Sequence, residues 1–481
     1  MDHANHLLQD IQQKLTNCDD VTYLPIHVQG HECTVIYIQS IINLQMLQEQ
    51  IATPLLSLSL SNPKNLRKTL DEGAIFTAPY TQNSDPENIA NCIVKGSAAV
   101  YVAGYSHVIL FDIPMYHTRA VEESQNEQVV IGPREAFIED IEVNLSLIRH
   151  KIKHPDLKVV HYTIGSYTQT TVYVLYIEGL CKQEVLDELD EQLKKIDIDG
   201  IFGMGYISEQ FKASRLTPFP QFQYTERPDS VASSLLEGRV SIMLDGTPST
   251  LIVPVSIFSL LQSSEDYYQS FYSASWMRII RVMFALVSLM LPSLYVAITT
   301  FQPEIIPTDL LITIAAAREN IPFSALTEAF IMELTFEALR EAGTRIPKPV
   351  GQTISIIGAI VIGQAAVEAG IVSTPMVIVV SITGIAAYIV PHYELGLAFR
   401  LLRFPLLILG GTTGLLGVLA ATFIVYGHLT SLNTFGTPYM YPLSPLVFSD
   451  WKDMLVRVPS YWMTKRPANF ASKNKRRQTH K

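Results

Sequence analysis

The stretch EAFIMELTFEALREAGTRIPKP, Glu328 to Pro349, sets Glu328, Glu333, Glu337 and Glu341 on a background of Ala, Leu, Phe, Ile and Met. At 100° per residue, Glu333, Glu337 and Glu341 share a sector of about 100° with Arg340, and Glu328 falls with Thr335 nearly opposite. A further carboxylate, Glu368, interrupts the apolar run TISIIGAIVIGQAAVEAGIVSTP, with Gln364 four residues before it on the same face. A charged side chain costs at least about 2.5–3.5 kcal/mol in a bilayer core, so such residues line ion paths or pair internally. The chemistry these residues could do is cation handling, not bond making. Three placements fit the stripe: facing a water-filled pore or vestibule, lying in water on a helix at the membrane surface, or making salt bridges between helices. For Glu368 the choice is between snorkelling from a span end and a place on an ion path.

Other chemistries lack their residues. There is no GxxxxGK[ST] loop, no HExxH or histidine cluster, and no GxSxG elbow. GGTTGLLG resembles a phosphate loop but lies inside an apolar run. Cys18, Cys33, Cys92 and Cys181 lie far apart without ligand spacing, as expected of reduced, buried thiols. The expectation is a chain that is no enzyme, without metal or cofactor and without a nucleic-acid partner.

The elements that must position the carboxylates divide the 481 residues by charge. Residues 1–275 hold 18 Lys/Arg against 34 Asp/Glu, and residues 276–481 hold 17 against 11. The front is an acidic soluble protein and the back a membrane protein with basic flanks. The opening MDHANHLLQDIQQKLTNCDD lacks a basic n-region and a continuous apolar core, so the N-terminus is expected in the cytoplasm. The fold class expected is an α+β cytosolic region of two small α/β subdomains followed by an α-helical polytopic membrane domain.

The subdomains are placed at 1–125, the more variable one, and 126–260, and residues 1–250 are expected to fold alone. AAVYVAGYSHVILFDIP and EGRVSIMLDGTPSTLIVP read as hairpins. Residues 261–281 form an interfacial helix, aromatic then basic, with Arg278 and Arg281 on the cytoplasmic side. The membrane domain covers 282–460, with spans at Val282–Phe301, Thr353–Val372, Pro375–Val390 and Phe404–Tyr426 and a broken or re-entrant element in 305–345. Four or six crossings would return the tail to the cytoplasm, and Arg400 and Arg403 read as cytoplasmic markers. Gly358, Gly363 and Gly370, and then Gly410 and Gly414, are candidate helix-packing positions. Residues 461–481 read as a disordered basic tail. TERPD, Thr225–Asp229, is a capped turn or, through Glu226, Arg227 and Asp229, an intersubunit or domain contact.

Several stretches together resemble the A subunits of bacterial spore germinant receptors, the GerA type. They are GPREAFIEDIEVNLSLIRHKI, EDYYQSFYSASWMRIIR, EALREAGTRIP, IGQAAVEAGIVS and RLLRF, in the family's order over roughly 130–460. The resemblance implies a place in the spore inner membrane, with the soluble half on the core side. It implies partnership with a transporter-like B subunit and a lipoprotein C subunit. It also implies a homo-oligomer, a pentamer, acting as a nutrient-gated channel for monovalent cations in contact with membrane lipid. A non-conducting scaffold or signalling subunit and an ion-coupled transporter are the alternatives.

Overall fold

A computed structural model describes residues 2–28, 31–57, 76, 78–115, 127, 129–211, 216–345, 363–471 and 474–478. Strands β1 (Val21–Val28), β2 (His31–Ile38), β3 (Tyr80–Asn83), β4 (Ser97–Val102) and β5 (Val108–Asp112) form an antiparallel sheet in the order β1-β2-β4-β5-β3. The hairpin expected around Gly104 is β4–β5, and Gly104 turns the chain with φ +89°. Helices Asp2–Lys14 and Pro86–Ile93 supply Leu7, Ile11, Ile89 and Ile93 to the core of this sheet.

A second antiparallel sheet joins β6 (Leu157–Ile164), β7 (Thr170–Ile177), β8 (Gln223–Thr225), β9 (Val240–Leu244) and β10 (Thr250–Val253) in the order β6-β7-β9-β10-β8. Side chains alternate across a strand, so Val172, Val174 and Tyr176 of β7 enter one core while Tyr173, Leu175 and Ile177 enter another. Helices Gln183–Lys194 and Met204–Gln210 cover the first face, and Ile141–Lys151 and Pro228–Leu236 the second. β10 holds the edge strand β8, with Thr250 opposite Thr225. A fragment ending at residue 250 therefore cuts β10, while the expected subdomain limit at 260 leaves the sheet whole. The two subdomains meet at a buried ion pair in which Arg149 Nε and Nη2 donate to Asp20, each at 2.8 Å.

The helical bundle begins with a long helix, Phe271–Phe301, of 31 residues. Its root is a charged joint. Asp266 accepts from Arg278 Nε at 2.9 Å and from Arg281 Nη1 and Nη2 at 2.9 and 3.0 Å. Arg278 also bonds Asp453, and Arg457 Nη1 donates to the backbone oxygens of Asp266 and Gln269. Burial raises the Asp266 carboxyl, but the bonded Arg281 and then Arg278 outweigh it and hold it below the usual carboxylate range. Arg278 and Arg281 are thus buried partners, not the water-facing markers read from the sequence.

Helix contacts give each element's direction. The long helix leaves the soluble domain and ends at Phe301, where Gln302 meets Leu415. The helix Thr374–Tyr388 returns to the soluble end, where His392 touches the Leu260 carbonyl. The helix Tyr393–Thr413 runs out again and Leu415–Ser431 comes back, placing His428 beside Thr217. The single apolar span read at Phe404–Tyr426 is two packed helices with a reversal at Gly414. Gly414 has φ +67°, and a Cβ there would lie 2.9 Å from Phe301 and 3.0 Å from Gln302, so only glycine fits this corner. Phe271–Phe301 and Tyr393–Thr413 are each long and apolar enough to cross a membrane, and Thr374–Tyr388 and Leu415–Ser431 are shorter apolar helices.

Gly410 and Gly411 lie at packed surfaces, against the Ser293 carbonyl and Leu326 respectively, and Gly363 faces Val377. Gly370 is a turn residue, with φ +65°, after helical residues 363–368. Gly358 lies outside the described residues. The C-terminal segment, expected as a disordered tail, packs on the second subdomain. Arg466 Nε donates to the Leu236 carbonyl at 2.7 Å, and Phe470 lies under Arg239 with its ring centroid 4.2 Å from the guanidinium carbon.

Candidate functional site

The carboxylates sit on the helix Ala325–Arg345, 21 residues long. At 1.5 Å per residue this is about 31 Å, the thickness of a hydrocarbon core. The helix starts beside Ser373, at the bundle end remote from the soluble domain, and reaches the level of Tyr388 at the near end. It packs against the long helix, Thr374–Tyr388 and Tyr393–Thr413. Ala325, Ala329 and Met332 join Val296, Met376 and Leu407 in one apolar core.

Each glutamate has a different environment. Glu328 is fully buried, accepting from the Ser373 amide at 2.9 Å, the Ser373 hydroxyl at 2.8 Å and Arg318 Nε at 3.1 Å. Glu333 is 1% exposed and bonded to Arg403, whose Nε donates to the Ser288 carbonyl at 2.8 Å. Glu337 is half-buried between Arg400 Nη1 at 3.0 Å and Arg340 Nη1 at 3.3 Å. Arg340 also donates to the Tyr388 hydroxyl at 3.2 Å. Glu341 is exposed toward the soluble end. Gln364 and Glu368 are exposed near the opposite end, where the Gln364 side-chain amide donates to Glu368 at 3.2 Å.

The six candidates thus separate into buried ion pairs (Glu328, Glu333 and, half-buried, Glu337) and exposed groups at the two ends (Glu341, Gln364 and Glu368). The order Glu333–Arg403 and Glu337–Arg400 is that of antiparallel helices. Sequence reading missed Arg318, Arg400 and Arg403 as partners. The signal was present: glutamates four apart on one helix face can meet arginines three apart on another. Among the described residues no group of three or more His, Cys, Asp or Glu could hold a metal ion.

The TERPD residues join the second subdomain to the root of the long helix. Arg227 is 2% exposed, with Nη2 donating to Asp229 at 2.7 Å and to the Pro133 carbonyl at 2.9 Å. Asp229 also accepts from the Tyr268 hydroxyl at 2.6 Å. The Glu226 carbonyl accepts from the Phe137 amide. Arg227 and Asp229 form a contact within one chain, between domains.

Comparison with known proteins finds relatives along nearly the whole sequence. The family profile described as Bacillus/Clostridium GerA spore germination protein covers residues 9–469. Spore germination protein KA of Bacillus subtilis is 39% identical over 98% of this chain and 87% of its own length. Spore germination protein A1 of the same organism is 40% identical over 84% of this chain and 82% of its own. The B. subtilis protein named uncharacterized membrane protein YfkQ is 40% identical over 97% and 91%. Among solved structures, the N-terminal domain of the A subunit of the Bacillus megaterium spore germinant receptor GerK3 is 30% identical. It covers 51% of this chain and 92% of its own, with a TM-score of 0.40. The chain belongs to the GerA family of spore germination proteins.

Proposed function

We propose that this chain is the A subunit of a nutrient-responsive germinant receptor and that its copies assemble in the spore inner membrane as a gated channel for monovalent cations. A transporter-like B subunit and a lipoprotein C subunit complete the receptor, and the soluble half faces the spore core. The observation that carries the channel reading is the placement of Glu341, Gln364 and Glu368. Each is exposed on a bundle whose other outward side chains are largely apolar, and beyond the contacts they make within the chain their exposed surface favours water or a neighbouring chain. Copies arranged around an axis supply both, with Glu341 at the soluble mouth and Gln364 and Glu368 at the other. Glu328 and Glu333 then hold the wall together and do not touch the permeating ion.

The test is cation release from spores carrying E341Q, E368Q or E333Q, with receptor level measured in the same preparations. E341Q and E368Q are expected to slow release at normal protein level, and E333Q to lower the level itself. Parental release in both E341Q and E368Q at normal level would sink the reading.

A further inference from the structure

The end of the second sheet nearest the bundle borders a half-open cavity of about 290 Å³. Six stretches wall it: Glu127 and Val129, Gln223 and Arg239 at the sheet's end, the helix Pro228–Leu236, the 259–268 connector, the Pro391–His392 turn, and Arg477 near the C-terminus. A second cavity of about 170 Å³ lies beyond Glu237 and Arg239 and shares them. The first is at the small end of ligand pockets, roughly 300–1,000 Å³. Its surface is about evenly polar and apolar, and the polar part includes Ser230, Ser233 and Ser234 along one helix.

Arg239 is the unsatisfied cation of this wall. It is 5% exposed. Its Nη1 donates to Gln223 at 3.2 Å, and Glu237 lies 3.6 Å from Nη2, beyond a well-formed hydrogen bond. Its Nε has no partner among the described residues. Burial pulls Arg239 below the usual guanidinium range and pushes the Glu237 carboxyl up, the mark of two charges taken from water without full mutual compensation. Glu127, also in the wall, is bonded to Thr225, and burial pushes its carboxyl up to about 7. Arg227 is bonded to Asp229, and burial lowers His392 to about 4, leaving it neutral with its Nδ1 at 2.8 Å from the Leu260 carbonyl.

We propose that this junction cavity binds a small hydrophilic carboxylic acid bearing a hydroxyl or ammonium group beside its carboxylate. The carboxylate pairs with Arg239, and the second group lies between Glu237 and the serine hydroxyls of the helix Pro228–Leu236. A molecule held there touches the soluble sheet, the connector to the long helix and a turn of the bundle together. Its differential affinity therefore acts on how the soluble domain sits on the bundle. The proposal does not depend on the chain conducting ions.

The test is thermal unfolding of the full-length protein in detergent with glycine or glycolate, against neutral glycolamide and sodium chloride at matched ionic strength. Glycine, glycolate or both are expected to give a saturable rise of a few degrees that the controls do not. R239Q, which removes the charge, and S233L, which fills the cavity and leaves every charge in place, are each expected to abolish the rise. The proposal is overturned if neither acid exceeds the controls, or if the acids stabilise both variants as much as the parent.

Discussion

Glu333 and Arg403 are 1% and 2% exposed, and Glu333 Oε1 and Arg403 Nη2 have no partner among the described residues. Apart from the Arg403 bond to the Ser288 carbonyl, the two charges have only each other, so removing one strands the other, at a cost of about 3–5 kcal/mol. Replacing both by apolar side chains of similar volume is close to neutral. E333Q and R403Q are each expected to lower the unfolding temperature sharply, and E333L/R403M to recover most of the loss. A double variant as damaged as the two singles together would shift the weight to the Arg403 contact with the Ser288 carbonyl. The glutamate stripe was legible in the sequence because helical periodicity is local. Its partners were not, since Arg403 lies 70 residues from Glu333 and pairing depends on how two helices dock. Arg278, Arg281, Arg400 and Arg403, read as membrane-flanking cations, are buried partners in the structure. The rule for cytoplasmic cations concerns groups facing water, and burial removes these four from its reach.

At the scale of elements, hairpins were readable where turn chemistry is explicit. DGTP between two apolar runs became the β9–β10 turn, with Gly246 at φ +80°. The corner at Gly414 was hidden because a helical reversal inside an apolar run leaves no polar punctuation. A glycine there reads equally as a packing position. Where a fragment can be cut was also hidden, because strand order is a tertiary fact. β8 pairs only with β10, so a fragment ending before Thr250 leaves β8 without a neighbour and opens both faces of the sheet at that edge. A fragment of residues 1–253 is expected to give a cooperative thermal transition by circular dichroism, and one of residues 1–249 to lose it for the second subdomain. Equal cooperativity in the two fragments would mean that β10 is dispensable.

At the scale of the molecule, the joint at Asp266 and the packed C-terminal segment put the chain's last described residues on the same side of the bundle as the sheets. The long helix is about 46 Å from end to end, longer than the ~30 Å hydrocarbon core and therefore long enough to cross it. Glu304 follows its remote end and is exposed, whereas Tyr393 and Ser460 are exposed at the soluble end. The sheets and the last described residues at one end of the bundle agree with an even number of crossings, four or six. Single cysteines in a C92S background test it, because the other native thiols, Cys18, Cys33 and Cys181, are buried. In sealed right-side-out vesicles, an impermeant maleimide is expected to label E304C and spare Y393C and S460C. Inverted vesicles should show the reverse. Labelling of E304C and S460C from the same side would break the even count and, with it, the placement of the acidic mouths at opposite faces of the membrane.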